Sequence, residues 1–222
     1  FIAKAIARGV DQETAEVVFS YIVGYAGYGF CEAHAAAFAD TAYRTAYLLE
    51  HYPAQFYAAL LNHQPIGFYP PNTLCVQARN RGITILPLHI NDSDSEFSGD
   101  ENAIRIGLKQ VKGMEKGFLE VIAQAKGEAP FRSVHDFVYR TNVAKDITEN
   151  LILAGAFDWY SPNRRALLWD LPKYYQNKQG SLFLETPPSN RQVQDFHPFD
   201  RWLREYAVLG LSACQHVMDF FR

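Results

Sequence analysis

Proline and glycine divide the chain into segments of helical length, and this division constrains the fold more than any other feature. Pro53 stands at the start of PAQFYAALLNH, while Pro71 and Gly82 flank a second apolar-periodic segment, PPNTLCVQARNRG. Proline is tolerated in the first turn of a helix, and glycine is favoured just past its end. Because most of the chain follows this pattern, we predict a mainly α fold.

One pair of β-branched runs interrupts the helical segments. ITILPLHI at residues 83–90 and IRIGL at 104–108 have strand-like composition, and we expect them to pair. In the polar loop between them, DSDSE at 92–96 alternates its carboxylates as a calcium loop does. The sixth position of such a loop requires glycine, but Phe97 stands there. We predict a small β element around 83–107, with a solvated loop rather than a metal site.

Composition restricts the function without naming it. The 222 residues are 48% hydrophobic with a net charge of −3, which is typical of a globular chain and argues against a protein devoted to coating nucleic acid. The three cysteines are far apart and lack metal-ligand spacing, so we expect neither a disulfide framework nor a zinc site. No apolar run reaches the roughly 18 residues of a membrane span. We expect a cytoplasmic protein, and the start at Phe1 indicates a fragment of a longer one.

The segment GYAGYGFCEAHAAAF, residues 24–38, passes abruptly from glycine-rich to alanine-rich sequence. Its glycines predict a hinge, because glycine permits backbone conformations that other residues avoid. The alanines predict a helix with a narrow face, on which a neighbouring element can approach closely. His34 begins that helix. The aromatic residues of the motif are expected to anchor it in a core, with base-stacking platforms as the alternative, and they are Tyr25, Tyr28 and Phe30.

The segment LKQVKGMEKGFLEVIAQAK, residues 108–126, has the outline of a helix-hairpin-helix. Such a hairpin binds duplex backbone through amide groups and nearby cations, independently of base sequence. Glu115 stands where the usual hairpin has glycine, and its carboxylate repels phosphate. Two interpretations remain open, a DNA-binding hairpin and a purely structural turn. The DNA-binding candidates here are Lys109, Lys112, Gly113 and Lys116.

A second set of helices follows this hairpin. SVHD at 133–136 is a capping sequence for one helix, and a later helix is predicted to end at Gly155. The next helix is predicted to begin at Ser161–Pro162. Arg164 and Arg165 then fall in its first turn and are further DNA-binding candidates, with a solvated helix face as the alternative.

Four segments of the chain resemble segments of the alpha subunit of bacterial DNA polymerase III, a C-family DNA polymerase, and they occur in the same order as in that family. The segments are GYGFCEAHAAAFADTAYRTAYLLEHYPAQFYAALL, NRGITILPLHINDSDSEF, IRIGLKQVKGMEKG and LILAGAFD…NRRALL. Together they extend over nearly the whole chain. Glu32, the NHQPIGFYPP stretch and GLSACQH near the end resemble the error-prone, damage-tolerant subgroup more than the replicative members.

The resemblance implies an order of domains. It places a fingers-like helical domain at residues 1–104, a helix-hairpin-helix DNA-binding region at 105–172, and a linker and segment leading toward an OB domain at 173–222. KQGSLF, at 178–183, is similar to the family's linker. The expected fold class is therefore mainly α, a helical fingers portion plus a helix-hairpin-helix region with a small β element.

The resemblance also implies a function for the parent protein, DNA-directed DNA synthesis in replication or error-prone repair. The family's metal-binding aspartates lie in the palm, which precedes Phe1, so Mg²⁺ is expected there, while no catalytic residue, metal ligand or cofactor is assigned in this chain. The fragment alone should then be inactive. The alternative is a non-catalytic DNA-binding or scaffold module with the same fold.

Partners follow from the same resemblance. The implied partners are a DNA primer-template and, in the parent, an incoming deoxynucleoside triphosphate, together with a sliding clamp and other polymerase subunits bound through regions outside this chain; no membrane is implied. His34 has two interpretations. Its imidazole and the adjoining helix amides are placed to neighbour the triphosphate, or its ring hydrogen-bonds backbone and fixes the turn.

Overall fold

Residues 1–51 form the first compact unit. In the computed structural model the described residues are 1–28, 31–176 and 193–221. The helices of this unit are α1 (Ile2–Ile6), α2 (Gln12–Tyr28) and α3 (Glu32–His51). The Oδ1 atom of Asp11 accepts a hydrogen bond of 2.8 Å from the amide of Thr14 and so caps the start of α2. Among the described residues of this unit, Ala15 alone is buried.

The predicted hinge is wrong for Gly24 and Gly27, because both lie inside α2. An interior glycine costs a helix only about 1 kcal/mol relative to alanine, so the helix continues through both positions. Tyr25 is 82% exposed, which makes its prediction as a core anchor wrong as well. The predictions for Tyr28 and Phe30 concern side chains outside the described residues.

Residues 52–222 form the second unit, which contains the small sheet and most of the buried side chains. Its helices are α4 (Pro53–Asn62), α5 (Pro71–Asn80), α6 (Lys116–Glu128), α7 (Val134–Thr141), α8 (Lys145–Leu153), α9 (Arg164–Gln176) and α10 (Pro198–Leu209). Its strands are β1 (Thr84–Leu86), β2 (Ser98–Asp100) and β3 (Ala103–Arg105), and 3-10 turns lie at Leu108–Gln110 and Val217–Phe220. The mainly α fold with a small β element is confirmed. No described helix is long and apolar enough to cross a membrane.

The sheet has the order β1-β3-β2. Strands β1 and β3 pair in parallel with the buried Ile85 opposite the buried Ile104, as the two β-branched runs predict. Strand β2 lies in the loop predicted to be irregular, and it pairs antiparallel with β3. Its sequence, Ser-Gly-Asp, gives no strand signal. Its glycine has a structural reason, since a Cβ on Gly99 would lie 2.6 Å from the carbonyl carbon of Ala54 in α4.

An aromatic cluster joins α7 to the segments before it and after α8. The ring of Phe137 meets those of Phe131 and Phe157 edge to face, with centroid distances of 5.1 and 5.3 Å, and all three side chains are fully buried. Such pairs contribute stability beyond the area that they bury. A backbone hydrogen bond of 3.0 Å from Ile90 to Ala156 connects the segment after β1 to the same core. This bond attaches the segment after β1 to the region of the aromatic cluster.

The C-terminal segment packs onto this unit rather than leaving it. The amide side chain of Gln110 donates a 2.6 Å hydrogen bond to the carbonyl of Leu209, and Arg79 donates one to the carbonyl of Ser212. The predicted division near residue 105 falls inside β3, whereas compactness divides the chain after His51. The functional boundaries at 104 and 172 stay predictions, and the KQGSLF segment lies outside the described residues.

Candidate nucleic-acid interface

The first hairpin is a 3-10 turn, a tight reversal and helix α6. Gly113 makes the reversal with a φ of +82°, a conformation that L-amino acids with a side chain rarely adopt. A Cβ at this position would also lie 2.9 Å from the Cδ1 atom of Ile147. The first of the two predicted helical runs is thus a single 3-10 turn, Leu108–Gln110. Gly113 has a structural reason to be glycine whether or not the hairpin binds DNA.

The backbone of the hairpin tip is committed to the protein interior. The amide of Lys112 donates a 3.1 Å hydrogen bond to the carbonyl of Val208, and the Lys112 carbonyl accepts one of 2.9 Å from the side chain of Asn150. The side chain of Lys112 is exposed and forms no ion pair with any residue that the structure describes. This lysine therefore offers a phosphate its ammonium group and not its backbone amide.

The other two lysines carry exposed ion pairs. The Nζ atom of Lys109 lies 3.2 Å from Glu96, and that of Lys116 lies 3.7 Å from Glu120, with the side chains of both pairs more than half exposed. Exposed pairs contribute little free energy, about 0–1 kcal/mol, and they are screened by salt. Both lysines can exchange their carboxylate partners for phosphate at small cost.

Glu115 occupies the cap position of α6 without acting as a hydrogen-bonding cap. Its φ of −91° and ψ of 161° are ordinary extended values, so this site does not require glycine for its conformation. Its side chain accepts no capping hydrogen bond, which leaves the first amides of α6 without a side-chain partner there. The carboxylate therefore opposes a phosphate through its charge and volume, and not through strain in the backbone.

The second hairpin joins α8 to α9 through Gly155. This residue has a φ of +87°, and a Cβ on it would lie 2.2 Å from a terminal guanidinium nitrogen of Arg164. The helix end predicted at Gly155 is confirmed, since α8 ends at Leu153 and the left-handed glycine follows. Helix α9 begins two residues later than predicted because the Oδ1 atom of Asn163 caps the amide of Ala166 at 2.9 Å.

Arg164 is buried, and its prediction as a DNA-binding residue is wrong. Only 4% of its surface is exposed. Its guanidinium donates to both Asp158 oxygens at 2.9 and 2.7 Å and to a Glu205 oxygen at 2.9 Å. A further hydrogen bond of 2.6 Å reaches the carbonyl of Leu153. With its donors committed in this way, the side chain joins α8, α9 and α10 and is closed to a phosphate.

Two opposing effects set the pKa values in this cluster, the burial of the charged groups and the attraction between Arg164 and the carboxylates. Burial lowers the pKa of the Arg164 guanidinium, but its hydrogen bonds and charge interactions with Asp158 and Glu205 outweigh burial and raise it overall. Burial raises the pKa of the Glu205 carboxyl, and the nearby Arg164 opposes this rise only in part. Neither Asp158 nor Glu205 has a local pattern that marks it, so sequence reasoning missed both.

Arg165, the neighbour of Arg164, points the other way. It is exposed, and its guanidinium donates one weak hydrogen bond of 3.5 Å to the carbonyl of Gln194. Of the two predicted arginines, this one alone is accessible to a ligand. The structure therefore separates two adjacent residues that the sequence made equivalent.

His34 lies in the first turn of α3, as predicted, and it is exposed. Its ring contacts that of Phe38 edge to face, with a centroid distance of 4.6 Å. It forms no hydrogen bond with the residues that the structure describes. Its proximity to a nucleotide stays a prediction.

The acidic loop after β1 is paired with bases. Asp92 lies 3.3 Å from His89, Asp94 lies 3.8 Å from Lys126, and Glu96 bonds Lys109 as described above. Within the described ranges, no group of three or more histidine, cysteine, aspartate or glutamate side chains is arranged to hold a metal ion.

Comparisons with known proteins identify a motif family and several relatives of this chain. The helix-hairpin-helix motif family matches residues 82–167, which includes the first hairpin and the start of α9. Among curated relatives, the error-prone DNA polymerase of Symbiobacterium thermophilum is 40% identical over 100% of this chain and 25% of its own length. Those of Bdellovibrio bacteriovorus and Rhodopirellula baltica are 33% and 34% identical, each over 97% of this chain and over 22% and 20% of their own lengths.

The chain thus spans about a quarter or less of the length of these relatives. The match confirms the resemblance to the polymerase III alpha subunit and the choice of the error-prone subgroup. Because the similarity extends over the entire chain and includes the hairpin region, the chain is similar to one segment of the error-prone DNA polymerases and contains a helix-hairpin-helix motif.

Proposed function

We propose that this chain is the fingers and helix-hairpin-helix portion of a DNA-directed DNA polymerase, and that its first hairpin binds the backbone of duplex DNA. The observation that carries the proposal is the Gly113 turn, which presents the exposed Lys112 beside the start of α6. The full-length similarity to proteins named error-prone DNA polymerase supports the same conclusion.

The binding is electrostatic and independent of base sequence. Lys112 and Lys116 supply screened contacts, and each lost phosphate contact reduces the salt-dependence slope by about 0.9 for B-form DNA. Glu115 and the net charge of −3 oppose the approach of DNA. We expect a dissociation constant on the order of 10⁻⁴ to 10⁻⁶ M at physiological salt, the range of non-specific binding.

The rest of the polymerase supplies the chemistry. In this proposal Mg²⁺ and the catalytic aspartates belong to the palm of the longer protein. The longer protein also binds the incoming nucleotide near His34, and it contacts a sliding clamp and other subunits. The 222-residue chain alone should not extend a primer in the presence of magnesium and nucleotides. Extension by the purified chain would contradict this assignment.

Titration of a fluorescently labelled duplex at several salt concentrations tests the hairpin. The variants are Lys112→Ala/Lys116→Ala, which removes the cations, and Glu115→Gln, which removes only the repelling charge. Lys145→Ala is a matched control, because Lys145 has an exposed i,i+4 ion pair of 3.7 Å like that of Lys116.

The double lysine variant should bind more weakly and lose about 1.8 from the salt slope, at about 0.9 for each of two contacts. Glu115→Gln should bind more tightly, and the control should match the parent chain. Equal binding by all variants, or no binding at any salt, would make the hairpin a structural turn.

A further inference from the structure

A surface cleft between α9 and α10 is lined by none of the residues of the first hairpin. Its volume is about 490 Å³, which falls within the about 300–1,000 Å³ typical of small-ligand sites. It is lined by Arg165, Leu168, Trp169, Phe196, Asp200 and Arg204. Two cations and two aromatic rings thus share one concave surface.

Trp169 provides an uncovered aromatic face in this cleft. It is 59% exposed, although tryptophan is highly buried on average. Its indole forms no hydrogen bond or ring contact with the residues that the structure describes. Aromatic side chains of this kind are platforms on which unpaired nucleobases stack, because every base has a π face.

Both arginines lie over the ring of Phe196. The guanidinium carbon of Arg204 lies 4.5 Å from the ring centroid of Phe196, and that of Arg165 lies 6.0 Å from it. An arginine stacked on a ring keeps the N–H groups at its edge for a phosphate. Arg204 forms no ion pair with any residue in the described parts of the chain. The cleft therefore holds two oriented donors for an anion.

Asp200 limits how much negative charge the cleft accepts. With one carboxylate and two guanidinium groups, the lining has a net charge of about +1 when all three are ionised. This balance suits one phosphate group and disfavours a strongly acidic peptide, and the aromatic face has no use in binding the outside of a duplex. The combination fits a nucleotide unit whose base is unpaired.

We propose that the α9–α10 cleft binds single-stranded DNA, with a base on Trp169 and the adjoining phosphate on Arg165 and Arg204. The proposal rests on the proposed function, since it takes DNA as the polymer. It adds a site for unpaired strand, made of residues different from those of the hairpin.

Fluorescence anisotropy of a labelled short oligodeoxythymidylate, titrated with the 222-residue chain at several salt concentrations, tests the cleft. Trp169→Ala should weaken binding about 5- to 150-fold without changing the salt slope, because stacking involves no charge. Trp169→Phe should restore most of the affinity. Arg204→Ala should weaken binding and reduce the salt slope by about 0.7, the value for one phosphate of a single strand.

Two exposed residues of α3 provide matched controls. Tyr43→Ala removes an aromatic ring that is 73% exposed, and Arg44→Ala removes an arginine whose side chain is 75% exposed. Neither should change binding of the oligonucleotide. Circular dichroism of each variant should match that of the parent chain, since Trp169 and Arg204 lie on the surface.

Duplex binding distinguishes failure of this proposal from failure of the proposed function. The proposal predicts that Trp169→Ala affects the single strand only, while Lys112→Ala/Lys116→Ala affects the duplex. An unchanged affinity of Trp169→Ala for the single strand, or an equal loss of affinity for the single strand and the duplex, would overturn the proposal for the cleft. Neither result would contradict the proposal that the hairpin binds duplex DNA. Displacement of the oligonucleotide by an oligoglutamate peptide at equal concentration would assign the cleft to an acidic protein and would also overturn it.

Discussion

Replacing Arg164 with alanine should destabilise the second unit strongly while leaving the exposed surface of the hairpins unchanged. The side chain is 4% exposed and joins Asp158, Glu205 and the carbonyl of Leu153. Its removal leaves the Glu205 carboxylate, whose side chain is only 13% exposed, without its partner. Uncompensated buried charge is one of the most costly changes that a single substitution can make.

The magnitude follows from how dry the cluster is. Removing one partner of a buried ion pair costs about 3–5 kcal/mol. Asp158 is 31% exposed and keeps contact with water and with Arg201, so we expect the lower end, about 3 kcal/mol. For a unit of this size, that free energy corresponds to a fall of about 6–12 °C in the unfolding temperature.

Urea unfolding followed by tryptophan fluorescence measures this loss in the right part of the molecule, because all three tryptophans lie in residues 52–222. Arg165→Ala is the matched control: the same residue type in the same helical turn, but exposed. It should change the free energy of unfolding by less than about 0.5 kcal/mol. The double variant Arg164→Ala/Glu205→Gln should be less destabilised than the sum of its parts, since it leaves no buried charge at Glu205.

The effect should also depend on pH in one direction. Burial holds the pKa of Glu205 above 4.5 in the folded chain, and loss of Arg164 should raise it further. An acid with a raised folded pKa favours the folded state when protonated, and this contribution is lost as the pH rises through the folded pKa. The difference in unfolding free energy between the parent chain and Arg164→Ala should therefore be largest at neutral pH and should become smaller as the pH falls toward 4.5. Equal stability of Arg164→Ala and Arg165→Ala at neutral pH would refute the reasoning.

Three further outcomes are expected. Gly113→Ala should lose about 1–2 kcal/mol of unfolding free energy, because φ is +82° there and the new Cβ would press on Ile147; urea unfolding measures the loss, and an unchanged midpoint would contradict the left-handed turn. Ser133→Ala should cost about 1 kcal/mol in the same assay, since its hydroxyl caps an amide of α7 at 3.0 Å, whereas Ser133→Asn should retain most of the stability. Iodoacetamide should modify the exposed Cys31 and spare Cys75 until urea unfolds the chain, because burial raises the pKa of the Cys75 thiol to about 11. Peptide mass spectrometry checks this, and labelling of Cys75 before unfolding would contradict it.

Much of the secondary structure could be predicted because its signals are local. The starts of α4 and α5 at prolines, the serine cap of α7 and the end of α8 before Gly155 each depend on a few neighbouring residues. The two β-branched runs likewise predicted β1 and β3. The hairpin outline was visible for the same reason, since its turn and α6 are contiguous in sequence.

Local signals failed where distant chain segments decide the outcome. Strand β2 pairs with β3, and its Gly99 lies against the backbone of Ala54, but nothing in the polar sequence around it indicates a strand. Gly24 and Gly27 show the opposite error, because a hinge was predicted where a regular helix forms. Both glycines lie inside α2, which continues through them within a mostly apolar sequence.

By itself the sequence determined the mainly α fold, the hairpin with its lysines and the resemblance to a polymerase family. Only the tertiary structure decided which of the two adjacent arginines is buried and which is exposed. Arg164 and Arg165 occupy the same first turn of α9, but a helix turns about 100° per residue, so the side chains of adjacent residues point in different directions. Glu205, 41 positions away, meets Arg164 in the interior, while Phe196 meets Arg165 at the cleft. The different surroundings of the two arginines therefore depend on the packing of residues 196–205 against the second hairpin, a long-range contact that no local pattern encodes.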